Sequence, residues 1–142
     1  MRIFLSGIIS GSLAGKQIHQ QSYRDELRAI LHECLPDAEI LCPWDMHPDA
    51  LNFSPDQARE ALVAEVEAAA SSDLIVAYIP QASMGTAIEI WEAHKRGVPV
   101  LAITGLTHNW VVMLTTRQTF PTIEDFAAFA RSGGLAALAR EA

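Results

Sequence analysis

Short apolar runs alternate along this chain with longer stretches in which apolar residues recur every three or four positions. Ile3–Ser6, Ala38–Cys42, Leu74–Tyr78 and Val98–Ile103 are the runs, and they predict strands covered on both faces. A brief fifth strand is predicted around Gln118–Phe120. From about Gln17 to Cys34 the residues Tyr23, Leu27, Ile30, Leu31 and Cys34 recur on one helical face, and Pro36 ends that helix. Ser54 and Pro55 supply an N-cap and a first-turn proline for the next helix, whose expected core stripe is Leu62, Val63, Val66, Ala69 and Ala70. The helix after the third strand carries Ile90, Ala93 and Trp91, the last able to face either the core or a partner subunit, and it closes near Lys95-Arg96-Gly97. A short helix over Val111–Leu114, one begun by Pro121-Thr122 and running through Phe126 and Phe129, and an Ala/Leu-rich helical tail after Gly133-Gly134 complete the pattern.

Strands alternating with helices of ten or more residues predict a single α/β domain over 1–142, a five-stranded parallel sheet with helices on both faces. In the flavodoxin-like, Rossmann-like order 2-1-3-4-5 the switch point lies between strands one and three. The loops after those two strands then face each other across the ligand crevice.

Composition narrows the function classes. The 142 residues suffice for one sizeable core, and 50% hydrophobic content excludes disorder. A net charge of −7 argues against a polymeric nucleic acid partner and supplies no basic membrane patch. A small anion remains compatible, because helix N-termini bind phosphate without net positive charge. Cys34 and Cys42 have no metal spacing and read as reduced buried thiols. No run reaches membrane-spanning length and the apolar start is too short for a signal peptide, so a cytoplasmic location is expected.

Candidate chemistry gathers in the loops at the carboxyl ends of the strands. Gly7 to Gly15, with Ile8, Ser10 and Gly11, forms a glycine- and serine-rich loop that either cradles a phosphate or sugar or simply turns. Pro43-Trp44-Asp45-Met46-His47-Pro48 presents Trp44, Asp45 and His47 for stacking on and bonding a heteroaromatic base, unless Trp44 packs back on the core. Glu65 and Glu67 flank the apolar stripe of their helix on opposite sides, so spacing does not select between them. The turn from Ile79 to Ala93 holds Ser83, Gly85 and Thr86 at a helix start, with Glu89 after them. Thr86 and Glu89 fit a capping box as well as a carboxylate beside a phosphate pocket.

The segment Ser83-Met84-Gly85-Thr86-Ala87-Ile88-Glu89, set after Asp73–Ala77 and before Gly97–Val100, resembles the nucleoside 2-deoxyribosyltransferase superfamily. The superfamily includes nucleoside 5-monophosphate N-hydrolases. Phe4-Leu5-Ser6-Gly7 resembles its first strand and turn, so the likeness spans roughly residues 1 to 115. A glycine, threonine and glutamate at a helix start also occur in phosphoribohydrolases.

The resemblance implies a nucleophilic Glu89 that attacks C1 of the sugar and forms a glycosyl ester, resolved by water in a hydrolase or by a second base in a transferase. It implies an auxiliary acid at Glu65, eight residues before Asp73, where the family has aspartate; the extra methylene changes the reach by about 1.5 Å. It also implies a 5-phosphate contact at Ser83 with Gly85 and Thr86, which favours nucleotides over nucleosides. Phe4 stands where the family often has a tyrosine, leaving ribose and 2-deoxyribose both open. No metal or redox cofactor is implied. Subunits of the family pair so that the loop after strand four, here Thr107, His108 and Asn109, completes the neighbour's site, which implies a homodimer or larger assembly. The expected activity is hydrolysis of the base–sugar bond of a nucleoside 5-monophosphate. The alternatives are base exchange between nucleosides and a nucleotide-binding sensor without chemistry.

Overall fold

The computed structural model describes residues 1–141. Ala142, the last residue of the expected domain, lies outside the described residues. Five strands, β1 (Arg2–Gly7), β2 (Glu39–Leu41), β3 (Leu74–Tyr78), β4 (Val100–Ile103) and β5 (Gln118–Phe120), form one sheet in the order β2-β1-β3-β4-β5. All four pairings are parallel. Gly7 is in register with Tyr78, and Tyr78 with Ile103, so the loops after β1, β3 and β4 leave the same edge of the sheet.

Side chains alternate between the two faces of the strands and build two cores. On one side Ile3, Leu5, Leu74, Val76, Leu101 and Ile103 pack against α1 (Tyr23–Cys34), with α6 (Ile123–Arg131) and α7 (Gly134–Glu141) added by the C-terminal part of the chain. On the other, Phe4, Ile75, Ala77, Val100 and Ala102 meet Ala69 of α3 (Pro55–Ala70) and Ile90 and Ala93 of α4 (Met84–Lys95). Alanines dominate this second layer, and α3 and α4 pack directly on each other.

Several boundaries differ from those the pattern predicts. The first helix starts at Tyr23, not near Gln17. His19 N–H donates to Ile9 O, and the Gln21 amide donates to Ile8 O and His19 O. His19 and Gln21 are thus tied to the first loop, and the helix begins only after its N-cap Ser22. Pro43–Met46 is a helical turn, α2, opened by Pro43 in its first turn and by Asp45 and Met46 N–H groups on Cys42 O. In α3 the capping box is present, between Ser54 and Gln57, but Leu62 and Val63 are exposed and Ala61, Ala69 and Ala70 are buried. The close approach of α4 admits alanines and turns the larger residues outward. Trp91 is 41% exposed, so it does not belong to the core. The loop after β4 leads to α5 (Trp110–Thr115), capped by Asn109, which packs beside α4.

Candidate active site

Helix α4 positions Glu89. Ser83 is its N-cap, with Oγ accepting from Thr86 N–H at 3.4 Å. Thr86 is therefore the third helical residue, and a capping box between Thr86 and Glu89 is not formed. Glu89 lies one turn deeper, on the inward stripe Thr86, Glu89, Ile90, Ala93, and is buried. Its Oε2 accepts a hydrogen bond from Ser6 Oγ, on the strand face shared with Phe4 at the end of β1. Burial pushes the Glu89 carboxyl up to about 8. The Ser6 hydrogen bond and the Arg24 charge oppose that rise, and the charge on Glu65 adds to it.

Helix α3 brings Glu65 to the same place. Its side chain is half-buried and stands 3.7 Å from Nε2 of His47. Burial raises its carboxyl above the usual range, against the charges of His47 and Arg24. Glu67 points the other way: it is exposed and paired with both Nη atoms of Arg96 at 3.0 Å. The choice that spacing left open between the two glutamates is thus made by the packing of α3 on α4.

A cavity of about 290 Å³ encloses both carboxylates, with Gly7, Ser10, Ser83, Gly85 and Thr86 in its wall. Leu51, Phe53 and Leu62 give it an apolar side. Beyond Ser83 lies a second pocket of about 300 Å³ between Gly11, Ile79, Leu106 and Asn109. No lysine or arginine is among the residues lining either one. The first loop rests on α1. A Cβ at Gly7 would come within 2.4 Å of Tyr23 Oη, which donates to Ile8 O at 2.9 Å. Gly11 has a φ of +54°, and its α-carbon side faces Ile8, the side chain of which is buried under the loop.

Other expected contacts lie elsewhere. Phe4 is fully buried in the sheet core two residues below Ser6, because strand alternation sends it under α3 and α4. Trp44 packs against the opposite layer, with α1 and β1. Asp45 is exposed and paired with Arg28. The helical turn of α2 directs both of them away from the cavity. His108 is exposed and lines neither pocket, and Asn109 accepts from Val111 and Val112 N–H.

Three contributors are given no role by any motif. Ser6 is one: it stands in the segment Phe4–Gly7 that resembles the family's first strand, a likeness that assigns it no role, and its own signal is a polar residue in an apolar strand. Arg24 is another: it is 2% exposed and donates to Leu5 O, Gly7 O and Cys42 Sγ, holding the end of β1 from beneath. Its spacing to Leu27 and Leu31 puts it on the buried face of α1, which is the available signal. Phe53 is the third, its ring 5.8 Å from that of His47, which comes from the same loop as Trp44. Among the described residues no three His, Cys, Asp or Glu side chains are grouped as a metal ion requires. No helix among them is long and apolar enough to cross a membrane.

No protein-family model matches the sequence, and no curated protein matches it significantly. Solved structures do. A 2-deoxyribosyltransferase from Bacillus psychrosaccharolyticus superposes with a TM-score of 0.65 at 15% identity, covering 89% of this chain and 90% of that one. A conserved protein from Enterococcus faecalis V583 gives 0.62 at 17% identity, and a 2-deoxyribosyltransferase from Leishmania mexicana 0.58 at 18%. Both cover 92% of this chain and 97% of their own. The chain therefore has the fold of the 2-deoxyribosyltransferases, the fold that its resemblance to that superfamily implies.

Proposed function

We propose that this protein is an N-glycosidase acting on a nucleoside 5-monophosphate, with Glu89 as nucleophile and Glu65 as acid and base. The observation that carries the reading is the burial of Glu89 at the end of β1, hydrogen-bonded to Ser6, in a cavity shared with one other carboxylate. A desolvated carboxylate interacts strongly with a positive charge brought beside it. The oxocarbenium-like transition state of glycosidic cleavage places such a charge on the sugar.

In the first step a Glu89 oxygen bonds to C1 as the C1–N bond breaks. The bonding pair leaves on the base, which takes the Glu65 proton. In the second, water attacks C1, its proton passes to Glu65, and the Glu89 ester opens to a carboxylate and free sugar phosphate. Burial raises the Glu65 carboxyl, which favours the protonated form that an acid brings to the leaving base. Phosphate is held by the Ser83 and Ser10 hydroxyls and the free amides at the start of α4. Phe53, Leu51 and Leu62 take the role of base contacts in place of Trp44 and Asp45.

Base exchange between nucleosides is a second reading. Two of the structural neighbours are 2-deoxyribosyltransferases, and the absence of basic side chains from both pocket linings favours an uncharged substrate. We also propose a homodimer. Trp110, Met113 and Leu114 on α5, Met84 on α4 and Val63 on α3 are 57–84% exposed on adjoining helices.

Released base is measured by chromatography from ribo- and deoxyribonucleosides and their monophosphates, with and without a second free base. Hydrolysis of monophosphates by the wild type, lost in Glu89→Ala, is expected. Exchange exceeding hydrolysis would select the transferase reading, and undiminished release by the variant would overturn both.

A further inference from the structure

His47 enters neither the resemblance nor the carboxylate pair, yet its environment is specific. It follows α2, and its ring is held edge-on by Phe53, a wall residue of the cavity. Its Nε2 is shut off from solvent, has no hydrogen-bond partner and stands 3.7 Å from Oε1 of Glu65. A buried ring nitrogen without a partner is costly unless a group nearby closes on it. At 3.7 Å the two groups are within reach of each other but beyond hydrogen-bond distance. Such contacts at catalytic groups are often long before substrate is bound and tighten afterwards.

We propose that His47 is a positioning residue for Glu65, its Nε2–H bonding one carboxylate oxygen so that the other faces the leaving base. This rests on the reading of Glu65 as the acid and base. A glutamate side chain has one more rotatable bond than an aspartate, so a Glu65 carboxyl without an anchor sweeps a wider arc. His47 on one oxygen removes that freedom. The ionisable groups that face Glu65 are His47 from the segment after α2, Arg24 from α1 and Glu89 from α4. His47 and Arg24 both lower the Glu65 carboxyl, His47 by more.

Two measurements test this, and the first needs no turnover. The Glu65 side-chain carboxyl carbon, assigned by its loss in Glu65→Gln, is titrated by NMR in wild type and in His47→Gln. The midpoint is expected at higher pH in His47→Gln, since the side chain that lowers the Glu65 carboxyl is gone and burial remains. An unchanged midpoint overturns the proposal even if no substrate is cleaved. The second is kinetic, with base release as the readout. His47→Ala is expected to lower kcat by about tenfold or more with little change in KM. His47→Gln, which keeps an N–H donor, is expected to restore part of the loss. Adding His47→Ala to Glu65→Gln is expected to cost nothing further. Full kcat in His47→Ala, or losses that multiply in the double variant, would overturn the proposal. Melting curves identify a variant that fails to fold, in which case His47→Gln carries the comparison.

Discussion

At the residue scale the site turns on a carboxylate held where its charge is disfavoured. As the proposed nucleophile Glu89 must be ionised to attack, yet burial lifts it to about 8, so kcat/KM is expected to rise with pH along a limb near that value. Removing the Ser6 hydroxyl deletes a bond that favours the ionised form. Ser6→Ala should move the limb to higher pH as well as slow the reaction, and a limb left in place would contradict the role given to Ser6. The same group ties stability to pH. Because its folded-state pKa lies above the ordinary 4.5, the folded state holds an extra proton between about 4.5 and 8, and stability from this source falls as pH rises through that window. Denaturant titrations of Glu89→Gln should lack that fall and show a gain of about 1–3 kcal/mol at pH 8. None of this could be read from the local sequence. Thr86 and Glu89 have the spacing of a capping box, and only the cap at Ser83 and the arrival of β1 from 83 residues away decide that Glu89 turns inward.

At the element scale the start of α4 has two tasks, ending the turn after β3 and facing the cavity. Ser83→Ala removes the cap and is expected to cost about 1 kcal/mol in thermal or denaturant unfolding. If Ser83 also meets the 5-phosphate, the same variant raises KM for a monophosphate and leaves that for the nucleoside nearly unchanged. Equal KM changes for both would limit Ser83 to its cap. Elements were legible where pattern and punctuation agreed, as at Ser54-Pro55 and in the apolar run Leu74–Tyr78. Elsewhere tertiary contacts override the pattern. His19 and Gln21 give their hydrogen bonds to the first loop, and α3 buries the expected Ala69 and Ala70 but takes Ala61 inward while Leu62 and Val63 are exposed. Trp44 and Asp45 share a loop with His47 in the sequence, but one helical turn sends them to the opposite side of the sheet.

For the whole molecule, the order β2-β1-β3-β4-β5 follows from strand–helix alternation and brings the ends of β1 and β3 together. That adjacency is why residues far apart in sequence, Ser6, Glu65 and Glu89, meet at one cavity. The exposed apolar residues of α3, α4 and α5 are a property of this scale too, since no single helix reveals them. Sedimentation or light scattering should find a dimer or larger species, and Trp110→Asp should shift it toward monomer; a wild type that stays monomeric would contradict the assembly. The central claim is a covalent bond between Glu89 and the sugar. Acid quenching during turnover, followed by mass spectrometry of the intact chain and its peptides, should find the chain heavier by one sugar or sugar phosphate, the added mass on the peptide holding Glu89, and none on Glu89→Ala. Continued base release by Glu89→Ala, with no adduct on the wild type, would contradict it.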